Sequence, residues 1–434
     1  MIERPRPATL LMLPVLLAMS SPVAAAGLAA AAAPLGSPET AAEGLSLNAS
    51  GEVLYDSNLL RTTDAALLIG NRHRDDFRYS PSGNAKFSRN VGRWTVSVGG
   101  LVGHDFFQYN SYLNRNRFAA DGLFTFRAGS SCQAVVSGNY SNRQSGLRGD
   151  SLATSDPTGN PDSVGKIIDS VQESALYGIN ANCAAPGGGL SFGGGYNRAS
   201  IRNGAAIRKF SDSDSNTFSG NLGIGILRPG QVSLTGSYST INYPGRAFGV
   251  PGGFVPPQLA TSGVHTYRIG VTLSRPFGTR LNGTLGVSYL HADPSGGQAP
   301  YSSPAYNVAV YYRSSPRLSF GLVGVRDVVS SSTAAALYRV IDQIQLSSQY
   351  SLGQSITVGA NFGLIRNDFK QPFALGGEPL RRRETSKTAG FNVTFAPRAL
   401  FDVRLGVNQT IRSSDPSIYN YNSTKASLTL AVHI

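Results

Sequence analysis

Residues 421–434 read YNSTKASLTLAVHI. Leu428, Leu430, Val432 and Ile434 alternate with Ser427, Thr429, Ala431 and His433 up to the last residue. Chain ends are usually polar and loosely held. A two-faced strand that runs to the carboxyl terminus needs a partner along its whole length, because an unpaired edge is a liability. The same period-two alternation, bounded by Gly, Pro, Asn and Ser, recurs upstream. It covers 44–56, 77–88, 92–107, 117–127, 132–142, 170–183, 189–199, 216–227 and 231–241. It continues at 264–275, 279–291, 305–313, 317–327, 338–351, 355–366, 384–396, 399–412 and 423–434. This pattern predicts eighteen β-strands.

The connections between these segments alternate in length. Short ones are NVG at 90–92, PG at 229–230, PFG at 276–278, SSP at 314–316, LGQ at 352–354 and PR at 397–398. Long ones include 57–76, 143–169, 242–263, 292–304 and 367–383, giving nine long and eight short in all. Short turns on one rim and long loops on the other are the layout of an outer-membrane barrel. Strands of ~9–11 residues are what a tilted strand needs to cross a bilayer. Closure then accounts for the chain end, since the last strand pairs with the first and leaves no edge in lipid. The expected fold is all-β: an antiparallel up-and-down transmembrane barrel in a Gram-negative outer membrane, with short periplasmic turns and long extracellular loops.

The parity of each strand assigns its faces. In 279–291, Leu281, Leu285, Val287 and Tyr289 are expected to meet lipid, and Asn282, Thr284, Gly286 and Ser288 to look inward. Outward aromatics gather near the long loops (Tyr55, Tyr79, Phe118, Tyr140, Tyr196, Tyr238, Tyr267, Tyr289, Tyr306). A second set lies near the short turns (Phe87, Trp94, Phe126, Tyr312, Phe320, Tyr350, Phe395, Phe401). Two belts a strand's length apart match the two interfaces of a bilayer.

The amino-terminal stretch MIERPRPATLLMLPVLLAMSSPVAAA has Arg4 and Arg6, an apolar run from Ala8 to Met19, and Ala24–Ala26. It reads as a secretory signal peptide over 1–26. A short periplasmic linker (27–43) and the barrel (44–434) follow. The formal charge is +13, with 38 basic against 25 acidic residues. A secreted all-β chain argues against nucleic acid as the counterpart. Anionic polysaccharide or the phosphates of lipopolysaccharide, together with outer-membrane lipid, are the expected partners, unless the charge serves solubility alone.

Cys132 opens one strand beside a short turn and Cys183 closes the next beside the following turn. Antiparallel pairing with residue numbers summing to 315 sets Ala134 opposite Ala181, Val136 opposite Ile179, and Cys132 opposite Cys183. The periplasm favours disulfides, so a cross-strand bridge is predicted.

Eighteen strands enclose an aqueous bore. Parity directs Arg78, Lys86, Arg93, Arg117, Arg127, Arg268, Arg313, Arg317, Arg339, Arg404 and Arg412 into it, against Glu52, Asp56, Asp105, Asp121, Glu384 and Asp402. The candidate pore-lining set is Glu52, Arg78, Lys86, Arg117, Asp121, Arg268, Arg339, Asp402 and Arg404. A net positive wall favours anionic or neutral polar solutes; the alternative is that these charges form salt bridges across the lumen that hold the barrel's shape. The apolar stretch NYPGRAFGVPGGFVPPQ at 242–258 folds into the lumen, packs on a neighbour, or is a disordered loop; composition leaves the three open.

Catalytic patterns are weak. GLSFG at 189–193 matches G-x-S-x-G but sits inside an alternating strand. DSDSN at 212–216 begins like a calcium loop without its later ligands. RGD at 148–150 is too short to define an adhesin, and His73, His104, His265, His291 and His433 lack ligand spacing. No metal, cofactor or enzymatic activity is expected.

The segment SGEVLYDSNLLRTTD (50–64) resembles the opening of the outer-membrane β-barrel porin family described as the second such family, in which a strand ending Tyr-Asp-x-Asn leads into the first outer loop. The matching residues are Tyr55, Asp56 and Asn58, followed by Arg61 and Asp64, and RYSPSGNAKFSR (78–89) resembles that family's second strand. Ile434 departs from the terminal Phe of many barrels. The resemblance implies association with exopolysaccharide production and an outer-membrane passage working beside a separate periplasmic polysaccharide-export protein. Residues 27–43 are too few for a periplasmic scaffold of helical repeats, which points the same way. The alternatives are a general or solute-specific uptake porin and, third, an outer-membrane hydrolase or structural surface protein.

Overall fold

β-Branched and aromatic residues alternating with small polar ones suit a pleated surface with two unlike faces, and all eighteen segments are strands. The computed structural model describes residues 43–61, 73–144, 171–185, 189–204, 209, 212–227, 230–244, 263–295, 299–330, 338–370, 382–398, 400–415, 417 and 420–433. The signal segment, the linker before residue 43, the central parts of the 143–169 and 242–263 loops, RGD at 148–150 and Ile434 lie outside them. The strands are β1 (Gly44–Asp56), β2 (Asp76–Val91), β3 (Trp94–Phe107), β4 (Arg115–Ala128), β5 (Cys132–Gln144) and β6 (Val171–Ala184). They continue with β7 (Leu190–Asn203), β8 (Ser213–Leu227), β9 (Gly230–Asn242), β10 (Gly263–Phe277), β11 (Leu281–Pro294) and β12 (Tyr301–Ser315). The last six are β13 (Leu318–Ser330), β14 (Tyr338–Leu352), β15 (Ile356–Lys370), β16 (Arg383–Arg398), β17 (Phe401–Asp415) and β18 (Tyr421–His433).

Each strand pairs antiparallel with its neighbours in sequence, and β1 pairs with β18. The sheet is thus a closed 18-stranded barrel. The closing register runs from Asn48 opposite His433 to Asp56 opposite Lys425, so the terminal alternation is a seam. Short turns are tight enough to need glycine: Gly92, Gly129, Gly278 and Gly353 have φ of 59–72°, which L side chains rarely adopt. Several turn assignments shift, with Asn90, Val91, Pro276, Phe277 and Leu352 lying inside strands. β12 and β16 each carry a register shift before their turns, so Ser315 and Arg398 still belong to strands, and Arg93 and Arg317 sit in turns outside the strands.

The faces follow parity. Leu285, Val287 and Tyr289 are exposed on the outside while Thr284 is buried. Among the exposed large apolar residues of the strands, only Leu123, Tyr311 and Val323 have inward parity. The belts are continuous ladders: Tyr196, Phe218, Tyr238 and Tyr267 stand side by side on four strands. Ring centroids are 4.9 Å apart for Tyr196–Phe218 and 5.0 Å for Tyr238–Tyr267. At the other rim Trp94 and Phe126 are 4.3 Å apart. Such amphipathic rings settle at the two boundaries of a bilayer, and the chain is an outer-membrane-type barrel.

The wall is not regular all the way up. Strands facing the long loops run several residues beyond the predicted ends, as in β11 to Pro294 and β15 to Lys370. There β12 pairs with β13 only from Asn307–Val325 downward, whereas β13 stays paired with β14 up to Ser330–Tyr338. One buried cluster joins Val264, Leu290, Ala292 and Ala305, of inward parity, to Val328, Tyr338 and Val340, of outward parity. Only one arrangement brings those two faces together: the upper ends of β13 and β14 lie on the lumen side of β10–β12.

Candidate functional site: the bore wall

The inward charges cluster on seven consecutive strands, β16 through β18 and β1 through β4. Most of them are paired. Arg78 bonds Glu52 on the adjacent strand and stands 4.0 Å from Asp105, which Arg117 reaches from the other side at 3.0 Å. Ser80 donates to the same Asp105 at 2.6 Å. Near the periplasmic rim Arg404 contacts Asp402 at 2.8 Å. Asp402 also lies 2.9 Å from Nε2 of His433, whose Nδ1 meets Oδ1 of Asn48 at 2.6 Å. Those contacts tie β17, β18 and β1 together across the seam.

The Tyr-Asp-x-Asn motif builds the seam's outer end. Tyr55 faces outward with its ring tilted against that of Phe77, centroids 5.0 Å apart, while Asp56 turns inward and is buried. Arg61 grips Asp56 with both guanidinium nitrogens, at 3.0 and 2.7 Å, and donates to Ser423 of β18 at 2.8 Å. Asn58 caps the turn with its backbone N–H on Asp56 at 3.0 Å and reaches the Asn422 carbonyl at 3.0 Å. Lys425 is 3.8 Å from the same carboxylate. Arg61 has φ of 56°, a conformation costly for a side chain of its size that the ring of bonds holds in place. Tyr421 lies under both Arg61 and Arg412, 5.5 and 5.7 Å from its ring, and Arg412 pairs with buried Glu384. A bonded chain Glu384–Arg412–Tyr421–Arg61–Asp56 therefore crosses four strands at the mouth.

Arg268 bonds Asp327 of β13, three strands away, and Arg339 lies on the upper, inward-lying end of β14. Lys86 and Asp121 flank Gly99 on one row of the wall, and neither has an ion pair among the described residues. Of the nine candidate pore-lining residues, then, Glu52, Arg78, Arg117, Arg268, Asp402 and Arg404 are engaged in cross-strand or local pairs. The partners outside the inward set of the sequence reading are Arg61, Asp327, Lys425 and His433. Arg61 is on a turn, where period two gives no face. Asp327 closes the 317–327 segment at the inward parity of Arg317, and alternation could not show that Arg268 reaches it.

Cys132 and Cys183 occupy the predicted register, are joined by a disulfide with Cα atoms 4.0 Å apart, and lie on the outward face by the periplasmic rim. Asp214 takes two bonds from Arg202, at 2.8 and 2.7 Å, and Asp212 accepts from Asn203, so the DSDSN stretch is occupied locally. Ser191 of the GLSFG stretch lies on the lumen face of β7 and accepts from Gln231, with no strand–turn–helix elbow around it.

No family model matches the chain, and no curated protein matches it. Among solved structures it is similar to a mutant ferric enterobactin receptor (PfeA) from Pseudomonas aeruginosa, at 8% identity over 91% of this chain and 81% of that one, with a TM-score of 0.49. It is similar to the FrpB iron transporter from Neisseria meningitidis, at 7% identity over 86% and 64%, TM-score 0.48. It is also similar to the siderophore receptor PirA from Acinetobacter baumannii, at 7% identity over 90% and 81%, TM-score 0.45. Likeness at this level bears on neither the solute nor the direction of its passage.

Proposed function

We propose that this barrel is an outer-membrane channel through which exopolysaccharide leaves the cell, working with a separate periplasmic polysaccharide-export protein and seated among lipopolysaccharide. The observation that carries the proposal is the state of the inward charges: Arg78, Arg117, Arg268, Arg404 and Arg412 are each neutralised by a carboxylate on the wall. Pairing of this kind removes the strong field that a ring of like charges would impose on small ions. Apart from charges such as Lys86 and Asp121, what remains is a surface of hydroxyls and amides suited to many weak, exchangeable contacts with sugars. The motif Tyr55, Asp56, Asn58 supports the same reading through the resemblance it carries.

A second reading, solute-specific uptake, is favoured by the upper ends of β13 and β14, which narrow the mouth from one side. Deletion of the gene separates the two. Export predicts polymer held in the periplasm and lost from the medium; unchanged secretion with impaired growth on one solute selects uptake. Conductance steps of the purified barrel in planar bilayers test whether it is a channel at all.

A further inference from the structure

Charge is absent from one side of the bore. Along β6, β7, β8 and β9 no inward position carries an ionisable acid or base, whereas every strand from β16 round to β4 carries at least one. Glycine packed under side-chain amides occurs elsewhere in the barrel, as at Gly390 of β16 between Asn361 and Asn408, but on β6–β9 it stands on strands with no inward ionisable group. There the glycines stand directly beside side-chain amides on the neighbouring strand: Gly193 between Asn182 and Asn221, Gly195 beside Asn180, Gly178 beside Asn197. A methyl group at Gly193 would collide with the amide oxygens of both Asn182 and Asn221, and one at Gly195 with that of Asn180. The missing side chains let each amide lie flat along the wall. Amides offer both donors and acceptors; here they alternate with glycine across the strands, as Asn182–Gly193–Asn221, and follow one another every second residue along β6 at Asn180 and Asn182, ~7 Å apart.

Resting on the export reading above, we propose that the β6–β9 wall is the track along which an uncharged, hydroxyl-rich polysaccharide slides, while the charged β16–β4 wall holds the barrel's form. A sugar hydroxyl leaving one amide meets the next two residues along the strand or two strands across, within the length of a sugar unit or two. Each contact is a neutral hydrogen bond in water, worth too little alone to stall the chain. Flat amides over glycine also keep the track smooth, since nothing stands out to catch a pyranose ring.

The test uses the purified full-length barrel in planar bilayers, with maltoheptaose as the neutral probe and an oligogalacturonate of equal length as the anionic one. Wild type is expected to show maltoheptaose blockades whose mean duration falls about ten-fold in Asn180→Val/Asn182→Val/Asn221→Val, the loss of one or two weak hydrogen bonds. Gly193→Ala, which displaces two of those amides without deleting them, is expected to shorten the blockades in the same direction. Lys86→Gln/Asp121→Asn, on the other wall, is expected to leave them unchanged. Equal shortening by both sets, or blockades by the anionic probe alone, overturns the track while the channel stands. A wild-type barrel that passes no current overturns the channel reading and the track with it.

Discussion

Arg268 of β10 and Asp327 of β13 are bonded across the two strands between them. The contact fastens the upper ends of β13 and β14 to the inside of the β10–β12 wall, where Val328, Tyr338 and Val340 are buried. Truncating one member of such a pair leaves the other charge poorly solvated, at a cost of ~2–5 kcal/mol. Asp327→Ala is therefore expected to give larger and noisier single-channel currents than wild type. Currents indistinguishable from wild type would show that the pair does not hold these strand ends.

The seam should depend on the motif residues in a graded way. Asp56 and Arg61 are each 4% exposed and bonded twice to one another. Asp56→Ala is expected to remove ~3–5 kcal/mol, because Arg61 and Lys425 then face each other without a counter-charge. Arg61→Lys should recover only part of it, since an ammonium cannot reproduce the guanidinium fork. The temperature at which the folded band converts to the unfolded one on a detergent gel measures both.

The two faces of β11 and β12 give opposite expectations for the same substitution. Leu285 points outward, so Leu285→Arg is expected to cost ~2–4 kcal/mol in the bilayer and to lower the yield of inserted barrel. Asn307 points into the bore beside Gly286, so Asn307→Arg should insert normally and shift ion preference toward anions. Reversal potentials in a salt gradient, together with protease protection of membrane fractions, distinguish the two.

The disulfide closes a stretch in which Cys132 and Cys183 are 51 residues apart. In the chain-entropy account a loop of that length is worth at most about 4 kcal/mol. Cys132→Ser/Cys183→Ser is expected to lower the detergent-gel conversion temperature and to abolish its dependence on reductant. Insertion should persist, because the full register of β5 on β6 does not need the bridge.

The strands and their facing were legible because a barrel wall meets lipid on one side and water on the other, which imposes period two on nearly every position. Leu285, Val287 and Tyr289 announce that face without help from any neighbour. The signal fails where both faces are covered. Leu290 and Ala292 are apolar on the lumen side because β13 and β14 lie over them, and that overlap has no trace in local alternation. For the site, parity placed Arg78, Arg117 and Arg404 on the correct wall but could not choose between a field-setting charge and a paired one. That choice depends on registers such as Gly103 opposite both Ser82 and Arg117, which fix who reaches Asp105.

The pairing of β1 with β18 sets a condition on biosynthesis. The first strand to emerge finds one of its two neighbours only in β18, Tyr421 to His433, after every other strand of the barrel has been made. Any polypeptide released early offers two bare rims to the insertion machinery and no way to bring them together, so an unfinished product is marked as such by its own geometry.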